Sequence, residues 1–75
     1  MDIETHEIAW EVEWPYKWPQ AIGQALFYRV STGKKGGVIL LLGRGKLKAE
    51  IVYYLRCLAT ATHCDLQMRV ERVDL

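Results

Sequence analysis

Apolar and polar positions along this chain repeat with two periods, and each change of period marks an element. In Trp10-Glu11-Val12-Glu13-Trp14, the tryptophans and Val12 fall on one side and the two glutamates on the other. That is the alternation of a strand, expected over residues 7–14. A shorter strand over 2–4 precedes it, around a turn near Thr5 and His6. After Pro15 the period lengthens. Ala21, Ala25 and Leu26 can face a core, while Gln20, Gln24 and Tyr28 form one polar edge of a helix predicted from about Pro19 to Ser31. Gly33 suits a left-handed cap at its end, and Lys34-Lys35-Gly36-Gly37 reads as a flexible basic loop. The unbroken apolar run Val38–Leu42 predicts an interior strand covered on both faces. A second helix is expected over 47–62, with Leu47, Ile51, Tyr54, Leu55 and Leu58 as its core stripe. Finally Leu66, Met68 and Val70 alternate with Gln67, Arg69 and Glu71, a strand whose charges suit an edge; Val73 and Leu75 fall on the opposite parity, as at a bulge or fraying end.

This order, (β)βαβαβ, predicts an α/β fold: a small mixed sheet with two helices, in one domain over 1–75. Strand, helix and buried strand make a parallel crossover, with the first helix over the sheet between strands 7–14 and 38–42. A 75-residue chain that is 51% hydrophobic and 25% charged can fold around one small core. No run approaches the ~20 apolar residues that span a bilayer, and the acidic start is unlike a signal peptide, so a cytoplasmic location is expected.

Net charge is only +1, but it is unevenly spread. Asp2, Glu4, Glu7, Glu11 and Glu13 lie in the first 13 residues without a Lys or Arg, whereas residues 14–50 set seven bases against Glu50. An acidic cluster beside a basic surface suits a metal site next to a phosphate-binding surface; solvated loops give the same distribution. Glu11 and Glu13, about 7 Å apart on one strand face, repel unless water or a cation lies between them. Lys17 follows shortly.

These residues resemble the active-site half of the PD-(D/E)xK nuclease superfamily. Glu11 fits its acidic position and Gln24-Ala25-Leu26-Phe27-Tyr28 its Gln-x-x-x-Tyr helix motif. Glu13 occupies the usual lysine position. Lys17, in the run Glu11-Val12-Glu13-Trp14 to Lys17-Trp18-Pro19-Gln20-Ala21-Ile22-Gly23-Gln24, resembles the lysine of a subgroup in which it has moved downstream. Counting back from Glu11 across the hairpin reaches Asp2. The resemblance covers roughly the first 42 residues. It implies a restriction-endonuclease-like core and Mg²⁺- or Mn²⁺-dependent hydrolysis of phosphodiester bonds in DNA, with RNA as the other candidate substrate.

In that reading Asp2, Glu11, Lys17 and Gln24 are catalytic, and Asp2, Glu11 and Glu13 hold the metal. Tyr28, Lys34, Lys35, Arg44 and Lys46 contact the nucleic-acid backbone. The superfamily core usually begins with elements before its Asp, so a phage-like protein that completes itself as a homodimer over the first strand's edge is expected. The alternative is a non-catalytic module of the same fold that binds nucleic acid or protein. There the carboxylates are a solvated strand face, Lys17 a surface ion pair, and Gln24 and Tyr28 an ordinary helix rim.

Other motifs add less. The lysine- and glycine-rich loop lacks phosphate-loop spacing, and Gly43-Arg44-Gly45 matches no dinucleotide fingerprint. Cys57 and Cys64, about 10 Å apart along one helix at 1.5 Å per residue, cannot pair within it, so both read as free thiols. His6 reads as a turn residue.

Overall fold

A computed structural model describes residues 2–43 and 46–73, with Asp2 described in its backbone only. β1 (Asp2–Glu4) and β2 (Ile8–Glu13) form an antiparallel hairpin. Thr5 closes its turn: its backbone N–H and its hydroxyl both donate to the Ile8 carbonyl, and the Ile8 N–H donates to the Thr5 hydroxyl. A 3-10 turn over Pro15–Lys17 leads into α1 (Trp18–Thr32). Pro19 sits in its first turn, where no N–H is needed. Gly33 ends it at φ 72°, its N–H donating to the Arg29 carbonyl. Then follow β3 (Lys35–Leu42), α2 (Leu47–His63) and β4 (Gln67–Arg72).

The sheet order is β1-β2-β3-β4, antiparallel between β1 and β2 and parallel between β2, β3 and β4. Both crossovers step the same way along the sheet, which puts both helices on one face. Ala21, Ile22 and Ala25 of α1 and Cys57 and Ala61 of α2 accordingly share one core with Val38, Leu40 and Leu66. α1 lies over β2 and β3, α2 over β3 and β4.

Gly36 and Gly37 lie inside β3 rather than in the expected basic loop, and close approach explains both. A Cβ on Gly36 would stand 2.8 Å from the Ala25 carbonyl oxygen, so its absence lets α1 settle onto the sheet. On the other face, a Cβ on Gly37 would stand 2.5 Å from the Trp10 ring.

That second face holds a smaller cluster of Trp10, Val12 and Ile39, flanked by Ile8 and Leu41, with the Arg69 guanidinium 5.8 Å over Trp10. Among the described residues no helix covers it, so β3 is layered on one side only. Trp14 falls beyond the end of β2, at the start of the 3-10 turn.

Trp10 and Val12 pack on this smaller cluster, while Glu11 and Glu13 share the helix-bearing face, where Glu11 is only 6% exposed. The helices settle on that face because Gly36 lets the Ala25 backbone approach the strand, while Trp10 is too bulky for such a seat. In α2, the expected core stripe is largely in water: Leu47 is 70% exposed, Ile51 46%, Leu55 55% and Leu58 36%; only Tyr54 of that set packs on the core. Its sheet-facing stripe is Glu50, Tyr54, Cys57, Ala61 and Cys64.

Candidate functional site

The hairpin register sets Asp2 directly opposite Glu11. Opposed residues of an antiparallel pair have Cα atoms about 4.5–5.5 Å apart, so the two acidic positions share one spot at the sheet's β1 side. Glu13 lies two residues further along the same face. One of its carboxylate oxygens accepts from the Trp14 N–H at 3.0 Å, which turns it toward the end of its own strand.

α1 brings its polar edge alongside. Tyr28 borders a small recess with Glu4, Ala9 and Thr32. The helix runs back along β2, and one helical turn of four residues covers about 6 Å, close to the ~6.6 Å of two strand residues. Stepping from Tyr28 to Gln24 therefore matches stepping from Ala9 to Glu11, which brings Gln24, exposed on the helix rim, level with the Asp2–Glu11 pair.

Lys17 lies in the 3-10 turn, its ammonium 5.7 Å from the Tyr16 ring, and it forms no ion pair with a described carboxylate. Lys34 is engaged in holding the hairpin: its ammonium meets a Glu4 carboxylate oxygen at 2.6 Å and the Thr5 carbonyl at 3.0 Å. Lys35 opens β3 and is exposed, its N–H donating to the Glu7 carbonyl. Lys46 is exposed at the head of α2, well away in sequence from the hairpin. Arg44 lies outside the described residues.

Two polar residues outside the sequence-based set hold the fold together. Arg29 donates from α1 to the Cys64 carbonyl at 2.7 Å and the Asp65 carbonyl at 3.3 Å, occupying oxygens left open where α2 ends. Glu50 is buried in the first turn of α2, and both its oxygens accept from the Gly43 N–H, at 3.1 and 3.2 Å. Glu50 was visible as the one carboxylate spaced seven and eleven residues before Cys57 and Ala61, within the small-residue stripe.

Beside Glu50 a groove of about 380 Å³ opens at the carboxyl ends of the parallel strands, walled by Trp14, Tyr16 and Tyr53 with Lys46 at its side. Ends of this kind are where open α/β sheets place ligands. Cys57 offers no nucleophile: it is free and buried, and burial pushes its thiol from 9.0 up to about 11.

For a divalent metal, the donor chemistry at the hairpin is suitable, since carboxylate oxygens are what hard cations take. Among the described residues no three His, Cys, Asp or Glu side chains stand close enough together to hold one. The implied set requires the Asp2 side chain, which lies outside what is described. No helix among the described residues is long and apolar enough to cross a membrane. Compared with protein-family models, curated proteins and solved structures, the chain gives no match.

Proposed function

We propose that this chain is a metal-dependent nuclease acting on DNA, with a core of the restriction-endonuclease type and its site at the β1–β2 hairpin beneath the rim of α1. The observation that carries the reading is the register of Asp2 opposite Glu11, with the Gln24–Tyr28 edge alongside. In this reading Asp2 and Glu11 hold Mg²⁺ or Mn²⁺, and Glu13 stands next to them as a further oxygen donor. When bound, the metal supplies a water of lowered pKa and neutralises charge that develops on the phosphate.

The chain's own residues do the rest. Burial of Glu11 keeps competing water from its carboxylate and strengthens its hold on a cation. The four-carbon stem of Lys17 lets its ammonium leave the Tyr16 ring and orient the attacking water or steady the phosphate oxygens. Gln24 positions that water or a phosphate oxygen from the helix rim, and Tyr28 contacts the backbone of the substrate. Lys35, Lys46 and Arg44 add phosphate contacts that carry no sequence information, while Lys34 would first have to leave Glu4.

A second reading, a non-catalytic module of the same fold, is favoured by one observation: among the described residues, Lys17 rests against Tyr16 rather than against an acid. Cleavage of labelled single-stranded, duplex and branched DNA with Mg²⁺ or Mn²⁺ separates the two. The nuclease reading expects cleavage that Glu11→Ala and Lys17→Ala both abolish with the fold intact. No cleavage by the native protein, or cleavage indifferent to both changes, would overturn it and leave the binding module.

A further inference from the structure

We propose that β4 and the overhanging flank of α2 form a face on which a second copy of this chain docks, strand to strand and helix to helix. The proposal stands apart from the nuclease reading and draws on other residues. β4 is the sheet's last strand, bonded to β3 on one side only among the described elements, so its outer backbone groups are open to another strand.

The side chains above that edge are apolar. Successive helical residues turn by 100°, which places Leu47, Ile51, Leu55 and Leu58 about a quarter turn from the buried stripe of Glu50, Cys57 and Ala61. The opposite flank, with Lys46, Ala49 and Tyr53, faces Trp14 and Pro15 across the groove, on the β2 side of the molecule. The leucine flank therefore points the other way, over β4. Val70, 40% exposed and on the helix-bearing face of β4, continues the band onto the sheet. A contiguous apolar surface of this kind marks an interaction site.

Two features make the occupant a second copy. The first is charge. Pairing β4 with itself antiparallel about Val70 sets Arg69 opposite Glu71 of the other copy, and Glu71 opposite Arg69. In one copy these side chains meet at 2.8 Å along the strand, and self-pairing in this register keeps every Arg69 opposite a Glu71 rather than a like charge. The second is symmetry: a two-fold axis normal to the sheet keeps both α2 helices on the same face, where identical leucine flanks meet.

Sedimentation velocity of the full chain tests this, with far-UV circular dichroism to verify folding. The native chain is expected at twice 8.7 kDa. Leu55→Glu, which alters only the exposed flank, should yield a folded monomer. E71R sets like charges opposite each other at both symmetry-related pairs and should weaken the dimer about tenfold, at ~1.4 kcal/mol per factor of ten. Adding R69E to it should restore the native affinity. A native chain that stays at 8.7 kDa would overturn the proposal. So would a dimer indifferent to both Leu55→Glu and E71R, which would place the contact elsewhere, for instance on the edge of β1.

Discussion

The two helices are seated alike, each on small residues over a pair of parallel strands, and differ in what they leave exposed. α1 is seated by small residues: Ala21 and Ala25 are fully buried, Gly36 beneath Ala25 carries no side chain, and the rim that remains is polar at Gln24 and Tyr28. α2 holds the sheet with Cys57 and Ala61 and leaves a four-leucine-sized band in water. α1 does expose Phe27 and Val30, but as a pair one turn apart rather than a band along the helix. A helix that sits close and shows a polar rim is suited to framing a site. One that sits close and shows leucines still has apolar surface to bury, and in the readings proposed above chemistry falls to the α1 side and assembly to the α2 side.

The contrast can be broken most forcefully at the α1 seat. Gly36→Val would drive its Cβ into the Ala25 carbonyl, only 2.8 Å away, and is expected to destabilise the fold by about 3 kcal/mol in urea unfolding. Next comes the buried end of α2. Glu50→Ala removes both oxygens that receive the Gly43 N–H, and should lower stability by about 1–3 kcal/mol, with Glu50→Gln recovering part of it.

Cys57 gives the same stripe a pH signature. Its folded pKa is raised from 9.0 to about 11, so the folded state favours the neutral thiol and its contribution is fully present below pH 9.0. Between pH 9.0 and about 11 the unfolded chain ionises first, and stability should fall across that window. Thermal melts of Cys57→Ala should lack this part of the slope. Smallest is Lys34→Ala, which breaks a surface ion pair with Glu4 and should cost under about 1 kcal/mol.

Element order was legible because each segment keeps one period over its length. α1 came within a residue of its bounds, marked by Pro19 and Gly33, and β4 was marked as an edge by Arg69 and Glu71. The facing of β2 was not legible. Alternation shows that Trp10 and Glu11 point apart, but which side receives helices depends on small residues contributed from a distance, Gly36 and Ala25 above all. For the same reason Gly36 and Gly37 looked like a loop: their glycine content answers the Ala25 backbone and the Trp10 ring, neither of which is a neighbour in sequence.

The leucine stripe of α2 misled for a different reason. Periodicity locates an apolar flank, and a monomer fills its seat with whichever residues allow close approach, here Cys57 and Ala61. At the candidate site, the count from Glu11 back to Asp2 agrees with the strand register, since a hairpin fixes pairing by turn length. Lys17 is not so constrained, because a 3-10 turn beyond the strand's end leaves its long side chain free of the strand's alternation.

The most direct test of the division between the helices is a paired measurement on two variants, Glu11→Gln and Leu55→Glu, each assayed for Mn²⁺-dependent DNA cleavage and for mass in solution. The sites of the proposed dimer lie at opposite ends of an eight-stranded sheet, about 34 Å apart at ~4.8 Å per strand, so each should act alone. The prediction is that Glu11→Gln loses cleavage and keeps the dimer, while Leu55→Glu loses the dimer and keeps cleavage. Cleavage unaffected by Glu11→Gln would contradict the account at its centre.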